Sequence, residues 1–341
     1  MYKNLGVEEP DGVVRWDLAA TLISRIDKKR LIFDSTVIHD EISMDKITLG
    51  FKLISSVCAQ GMSAQSVSSL EKGKNINWDT DIDDLVNDIN KVCEILMTDT
   101  FFKYFQSWDK PMAKLLGNAI SLEFIAILLE DWKDKGCPTV SGAQYKAFQR
   151  DARILFDRLV FEYSTKVWRG SGDSKMSADI KDWKNRILPV AKQEWKTFIE
   201  GALSGSYNGQ PVTQKTMTPI LYYYYSLKNI EPYNSSADKI EVDHIIPQEK
   251  FGGNNMANSI MKDSLTNLAL LPKTDNIAKK SKALNEITDA WLKSQITKYE
   301  EIEEKDFGKY SDITNIEELK SQRGDLFIKV FDETRETVLA N

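Results

Sequence analysis

The chain holds two histidines in 341 residues, His39 and His244. His244 stands in EVDHIIPQ (241–248), directly after Asp243 and three residues before Pro247. The pair sets a hard oxygen ligand beside an imidazole that can be neutral and basic at pH 7, the ingredients of metal-assisted acid–base chemistry. Neighbours on a strand point to opposite faces, but at a strand end entering a loop both can turn toward one cleft. Pro247 stiffens that loop. Downstream lie Asn267, Asn276 nine residues later, and then Lys279, Lys280 and Lys282. KTDNIAKKSK (273–282) carries four lysines and one aspartate, a local positive focus in a chain of net charge −6, as a phosphate site requires.

These residues need elements to hold them. KIEV is a short β-like run, NLALLPK (267–273) is a second, and TDNIAKKSKALNEITDAWLKSQITKYEEI reads as helix. Two extended runs and a helix within about 45 residues make a compact ββα unit. The upstream chain is patterned for helices at 16–30, 81–97, 113–133, 144–168, 178–202 and 214–227. Segment 113–133 is apolar nearly all round and predicts a central buried helix. Glycine and proline clusters at 135–142 and 205–213 predict loops. An acidic helix at 315–339 closes the chain. The expected fold is mainly α: a helical domain over 1–230, a ββα-metal unit over 231–290, and C-terminal helices over 291–341 that pack on the rest.

The strings DHIIPQ, DSLTNLALL and TDNIAKKSK resemble the HNH, or ββα-metal, nuclease motif, with Asn267 as the central letter and Asn276 in place of the third histidine. The wording is most similar to the C-terminal nuclease portion of GmrSD-type modification-dependent restriction enzymes. The resemblance implies that Asp243 and Asn276 bind one divalent ion, Mg²⁺ with Mn²⁺ as substitute. It implies His244 as general base on the attacking water and Asn267 as the residue holding the loop that orients His244. Lys279 or Lys280 would contact the scissile phosphate, with Lys273 and Lys282 on neighbouring nucleic acid. The implied function is DNA endonuclease activity in restriction or anti-phage defence, leaving a 5′-phosphate and a 3′-hydroxyl. The family often has glutamate before the histidine; here Asp243 is shorter. Such proteins also carry a nucleotide-hydrolysing half with a DGQQR-type motif. DGVVRW (11–16) is a poor match, so the resemblance implies such a half, or a partner subunit, outside this sequence.

Other features carry less. WRGSGDSKM (168–176) weakly resembles the helical middle region of the same proteins, which would put Arg169 and Lys175 on DNA phosphates, although an ordinary interhelical loop is the better expectation. LYYYYSL (221–227) could stack bases, but a buried helix is the better expectation. His39, with Asp40 and Glu41, reads as a charged helix start rather than a metal site. DTDIDDLVND (79–88) is not a calcium loop, since Asp84 stands where glycine is required and Asn90 where glutamate is.

Composition bounds the rest. Apolar residues make up 42% of the chain, with eight Trp, enough for a large core. Three scattered cysteines (Cys58, Cys93, Cys137) lack zinc or disulfide spacing and predict free thiols in a reducing, cytoplasmic setting. The acidic balance argues against a nucleic-acid-coating protein but not against an enzyme with a local basic groove. Two other functions remain open at this stage: a DNA- or partner-binding subunit with a degenerate HNH unit, and an RNA-cleaving nuclease.

Overall fold

The computed structural model describes Ala19 and residues 22–26, 44–72, 76–78, 80–107, 112–230, 240–252 and 256–341. His39 with its acidic neighbours, DGVVRW and most of segment 16–30 lie outside the described residues. Within them the chain is mainly α. Before the site segment run α1 (Met44–Cys58), α2 (Ala64–Glu71), α3 (Asp81–Thr98), α4 (Thr100–Ser107), α5 (Met112–Leu116) and α6 (Asn118–Asp134). There follow α7 (Ala143–Ser164), α8 (Asp173–Lys181), α9 (Trp183–Arg186), α10 (Lys192–Leu203) and α11 (Gln214–Leu227).

Local chemistry explains where these elements start and stop. Asp81, Asp83 and Asp84 occupy the first turn of α3, where the helix dipole favours acids, and Leu85, Val86, Ile89, Val92 and Leu96 form its buried face. The helix expected over 113–133 is split in two. Gly117 adopts φ 91°, a conformation that glycine reaches without strain, and it separates α5 from α6. The helix expected over 178–202 is three pieces: Asp182, at φ −109° and ψ 33°, parts α8 from α9, and Pro189, which cannot donate to a helix and keeps its predecessor out of helical geometry, parts α9 from α10. Segment 205–213, expected as a plain loop, contains a two-residue hairpin, β1 (Ser206–Tyr207) against β2 (Gln210–Pro211). Asn208 and Gly209 form its turn with φ 49° and 72°, the left-handed pair that a type I′ turn demands.

The centre of the body is α11. Four consecutive tyrosines fan around the helix and all are buried, so each hydroxyl must find a partner inside. Tyr222 donates to the Ile240 carbonyl at 3.2 Å, Tyr223 to Asp157 Oδ1 at 2.7 Å and Tyr224 to Glu301 Oε2 at 2.6 Å. Tyr225 donates to the Tyr299 carbonyl. The stretch is thus structural, joining the helical body to both sides of the site unit.

That unit begins with β3 (Ile240–His244), passes through α12 (Met256–Met261) to β4 (Leu268–Pro272), and enters α13 (Lys273–Lys279) directly. The strands pair antiparallel, with Asp243 opposite Ala269 and His244 opposite Leu268. The long helix expected from residue 274 stops at Lys280, whose φ of 51° turns the chain out, and resumes as α14 (Ala290–Tyr299). α15 (Ile316–Lys329), a π-turn (Val330–Thr334) and α16 (Arg335–Ala340) close the chain.

Both faces of β4 are buried. Leu268 and Leu270 join the main core with Phe327 and Phe331, while Ala269 joins a second core containing Ile245, Ile246, Leu292 and Leu319. The closing helices therefore touch both cores, and α16 packs back on the helical body through Arg335, which grips Asp157 of α7 at 2.6 and 2.8 Å. No helix among the described residues is long and apolar enough to cross a membrane.

Candidate active site

His244 is the last residue of β3, so its backbone is fixed by the ladder while its side chain faces the loop that follows. That loop is pinned by Asn267, which is fully buried. The Asn267 Oδ1 accepts from Ile246 N at 2.7 Å, and its Nδ2 donates to the carbonyls of Ile246 and Lys262, each at 3.1 Å. The amide thus spends its capacity on two backbone segments. The segment carrying Asn267 is itself held from two sides. Leu265 N donates to the Ala202 carbonyl at 3.1 Å and Thr266 Oγ1 to the Leu203 carbonyl at 2.8 Å, at the end of α10. From α15, Arg323 donates to the carbonyls of Leu265, Leu268 and Glu300 at 3.0, 2.7 and 2.9 Å.

The imidazole has a partner on each nitrogen. Gln248 Nε2 donates to Nδ1 at 3.0 Å, which selects the tautomer protonated at Nε2, and that proton goes to Asp263 Oδ1 at 3.1 Å. The lone pair is therefore on Nδ1. Gln248 is exposed and can yield that position, whereas Asp263 backs the ring from the far side.

An open cleft of about 420 Å³ collects Asp243, His244, Asn276 and Lys280, with Gln248 and Glu249 at its side. Asn276 Nδ2 donates to Glu241 Oε2 at 3.3 Å, which leaves its carbonyl oxygen for a cation. Lys273 is exposed, 3.8 Å from Glu241 Oε1, and Lys282 is exposed beyond the end of α13.

Two expected placements change. Lys279, expected on a phosphate, is completely buried. It sits four residues after buried Asp275, on the inward side of α13, and donates to Asp243 Oδ2, to Glu300 Oε1 at 2.7 Å and to the His244 carbonyl at 3.2 Å. Burial opposes its charge, but the carboxylates of Glu300 and Asp243 outweigh that and hold the ammonium above its ordinary pKa. Burial, reinforced by the neighbouring Asp243 charge and only partly offset by Lys279, pushes the Glu300 carboxyl upward. Lys175, expected on DNA, pairs with Glu162 at 3.1 Å and Asp179 at 2.7 Å, an ionic cluster completed by Arg186. Arg169, also expected on DNA phosphates, is exposed and lines a second cavity.

Four residues of the site carry no role in the sequence reading: Glu241, Gln248, Asp263 and Glu300. The first three lie inside or beside the strings DHIIPQ and DSLTNLALL, where polar side chains flanking a candidate histidine are a usable signal. Glu300 has none, being brought in by the packing of α14.

The donors present fit a Mg²⁺-type ion. Among the described residues no three His, Cys, Asp or Glu side chains are grouped to hold a metal. An ion here would rest on Asp243 and the Asn276 carbonyl oxygen. That sparse oxygen set suits an ion that keeps waters and relies on substrate phosphate oxygens. The chain matches no protein-family model, no curated protein and no solved structure.

Proposed function

We propose that this protein is a metal-dependent nuclease that hydrolyses phosphodiester bonds of DNA, serving restriction or defence against foreign DNA. The observation that supports it most is the fixed geometry around His244: a strand-end imidazole, its Nε2 proton held by Asp263, its loop pinned by Asn267, and its open side shared with Asp243, Asn276 and Lys280. In this reading Gln248 yields its place at Nδ1 to a water. His244 takes one proton from that water at Nδ1 as the oxygen attacks phosphorus. The bond from phosphorus to the 3′ oxygen breaks, leaving a 5′-phosphate and a 3′-hydroxyl once the departing oxygen gains a proton. Asp243 and Asn276 would hold Mg²⁺ or Mn²⁺, which would supply stabilisation of negative charge on the departing oxygen. Lys280, exposed at the cleft, binds phosphate, and Lys279 acts from inside by fixing Asp243. A nucleotide-hydrolysing partner would belong to the larger system.

A second reading is favoured by the ammonium of Lys279 on Asp243 Oδ2 and by the occupation of both imidazole nitrogens. Here the unit is a non-catalytic DNA-binding module. Plasmid nicking by the purified chain, with Mg²⁺ or Mn²⁺ and against EDTA, decides. The nuclease reading requires metal-dependent conversion of supercoiled to open-circle DNA, falling about 10²–10⁴-fold in His244→Ala. DNA binding without cleavage under any metal would establish the second reading. Preferential cleavage of RNA in competition would change the substrate while keeping the chemistry.

A further inference from the structure

A second cavity, of about 630 Å³, opens where the end of α7 meets the β1–β2 hairpin. Lys166, Trp168 and Arg169 line it from one side, and Tyr207, Asn208 and Gln210 from the other. Lys166 spans the two walls, donating to the Pro211 carbonyl at 3.0 Å and keeping two ammonium protons for another acceptor. No Asp or Glu lines the cavity, although acids outnumber bases in the chain.

Behind this wall two polar atoms have no partner. Ser164, only 4% exposed, has a buried Oγ without a hydrogen-bond partner, and the indole Nε1–H of Trp168 is buried and unpartnered too. Native interiors rarely leave such groups unpaired, and both belong to residues lining the cavity. The Trp168 ring is also fixed in place. Lys175 Nζ lies 5.2 Å from its centroid, and a Cβ on Gly172 would come within 2.9 Å of the ring. Tyr207 is braced edge-on by Phe198 at 5.1 Å. The wall thus combines rigid aromatic rings, neutral amides and hydroxyls, and two cations. A simple anion would use only the cations and a neutral sugar only the rings and amides. A ligand with a planar heterocycle and a phosphate uses all three.

We propose that this cavity binds one nucleotide unit, its phosphate at Arg169 and Lys166 and its base against Trp168 and Tyr207. No residue of the His244 cleft takes part, so the inference does not rest on the nuclease reading. The same chemistry is offered by a free nucleotide and by one nucleotide of a strand.

Isothermal titration calorimetry on the full chain, in EDTA, tests it with deoxynucleoside 5′-monophosphates, a short single-stranded DNA and inorganic phosphate as probes. The expected result is saturable binding of a monophosphate, with inorganic phosphate weaker by about tenfold or more. Arg169→Ala and Trp168→Phe should each weaken binding by about tenfold, with His244→Ala unchanged. Arg169 is exposed, so its variant keeps the fold whatever Trp168→Phe does, and the thermal melt verifies this. Binding of the monophosphate but not the strand assigns a free nucleotide; displacement of a bound strand by the monophosphate assigns a strand nucleotide. The proposal is overturned if neither probe binds, if inorganic phosphate binds as tightly as the monophosphate, if a strand binds that the monophosphate cannot displace, or if Arg169→Ala leaves affinity unchanged.

Discussion

Two buried ionic clusters in this molecule use similar parts in different proportions. In the helical body Asp157 faces Arg335, and both are fully buried. Asp157 also accepts from Tyr223 at 2.7 Å and from the Trp195 indole at 3.2 Å, while Arg335 donates further to the Val190 carbonyl at 2.7 Å. One buried carboxylate meets one guanidinium: Arg335 has a second acid in the half-exposed Glu336, but among the described residues Asp157 pairs with no other cation. Beneath the His244 cleft, Lys279 meets two carboxylates, Asp243 and Glu300. One of those is redundant for neutralising the lysine, and it is Asp243 that also borders the cleft. The first cluster is closed and joins α7, α10, α11 and α16. The second has a spare acceptor at its open end, which is what a residue shared between architecture and chemistry requires.

The largest effect is expected from breaking the closed cluster. Arg335→Ala strands the Asp157 carboxylate in the core and should cost about 3–5 kcal/mol of stability. A thermal or urea melt measures it, and a change below about 1 kcal/mol would mean the hub contributes no more than an exposed pair. Asp243→Asn sharpens the contrast. Glu300 remains to balance Lys279, so the loss in the same melt should be clearly smaller than for Arg335→Ala. Nicking, by contrast, should fall at least about 10²-fold, because the carboxylate facing the cleft is gone. Equal losses of stability in the two variants would refute the idea that the site cluster has a spare carboxylate.

The difference between the clusters also marks what a reader of the sequence can see. The mainly α fold, the buried face of α3 and the span of α11 follow from apolar spacing, and β3 and β4 from two short runs set off by turn-forming residues. Asp243, His244, Asn267 and Asn276 are recognisable as a set because they fall within one short unit whose strands and helix are themselves legible. Lys279 is not separable from Lys280 and Lys282 by composition. Only the phase of α13, with Asp275 one turn earlier, turns it inward, and the acid it meets lies 21 residues on at the end of another helix. The hub is less legible still, since Arg335 and Asp157 are 178 residues apart. The break at Gly117 is a single-residue backbone event, and the one that opens at Lys280 runs on to Asp289; both fall inside otherwise helical patterns, which periodicity averages away.

Asp263→Asn probes the open end more gently. Its amide can still accept from Nε2, so the ring stays oriented, but the negative charge opposite the Nε2 proton is lost. A fall in nicking of about tenfold is expected, with the melting temperature kept. Nicking equal to that of the parent chain would show that Asp263 does not act through His244.

The smallest effect separates the adjacent lysines. A phosphate-contacting lysine releases about one counterion on binding, so its loss lowers the slope of log affinity against log salt by about one. Lys280 is exposed on the cleft and Lys279 lies beneath it, engaged by two carboxylates. Lys280→Gln should therefore reduce the salt slope of DNA binding by about one. Lys279→Gln should leave the slope unchanged while lowering the melting temperature, because it leaves the Asp243–Glu300 pair without its cation. A slope change in Lys279→Gln would mean that this ammonium leaves the interior to meet the DNA, and the site cluster would then be an opening latch instead of a fixed brace.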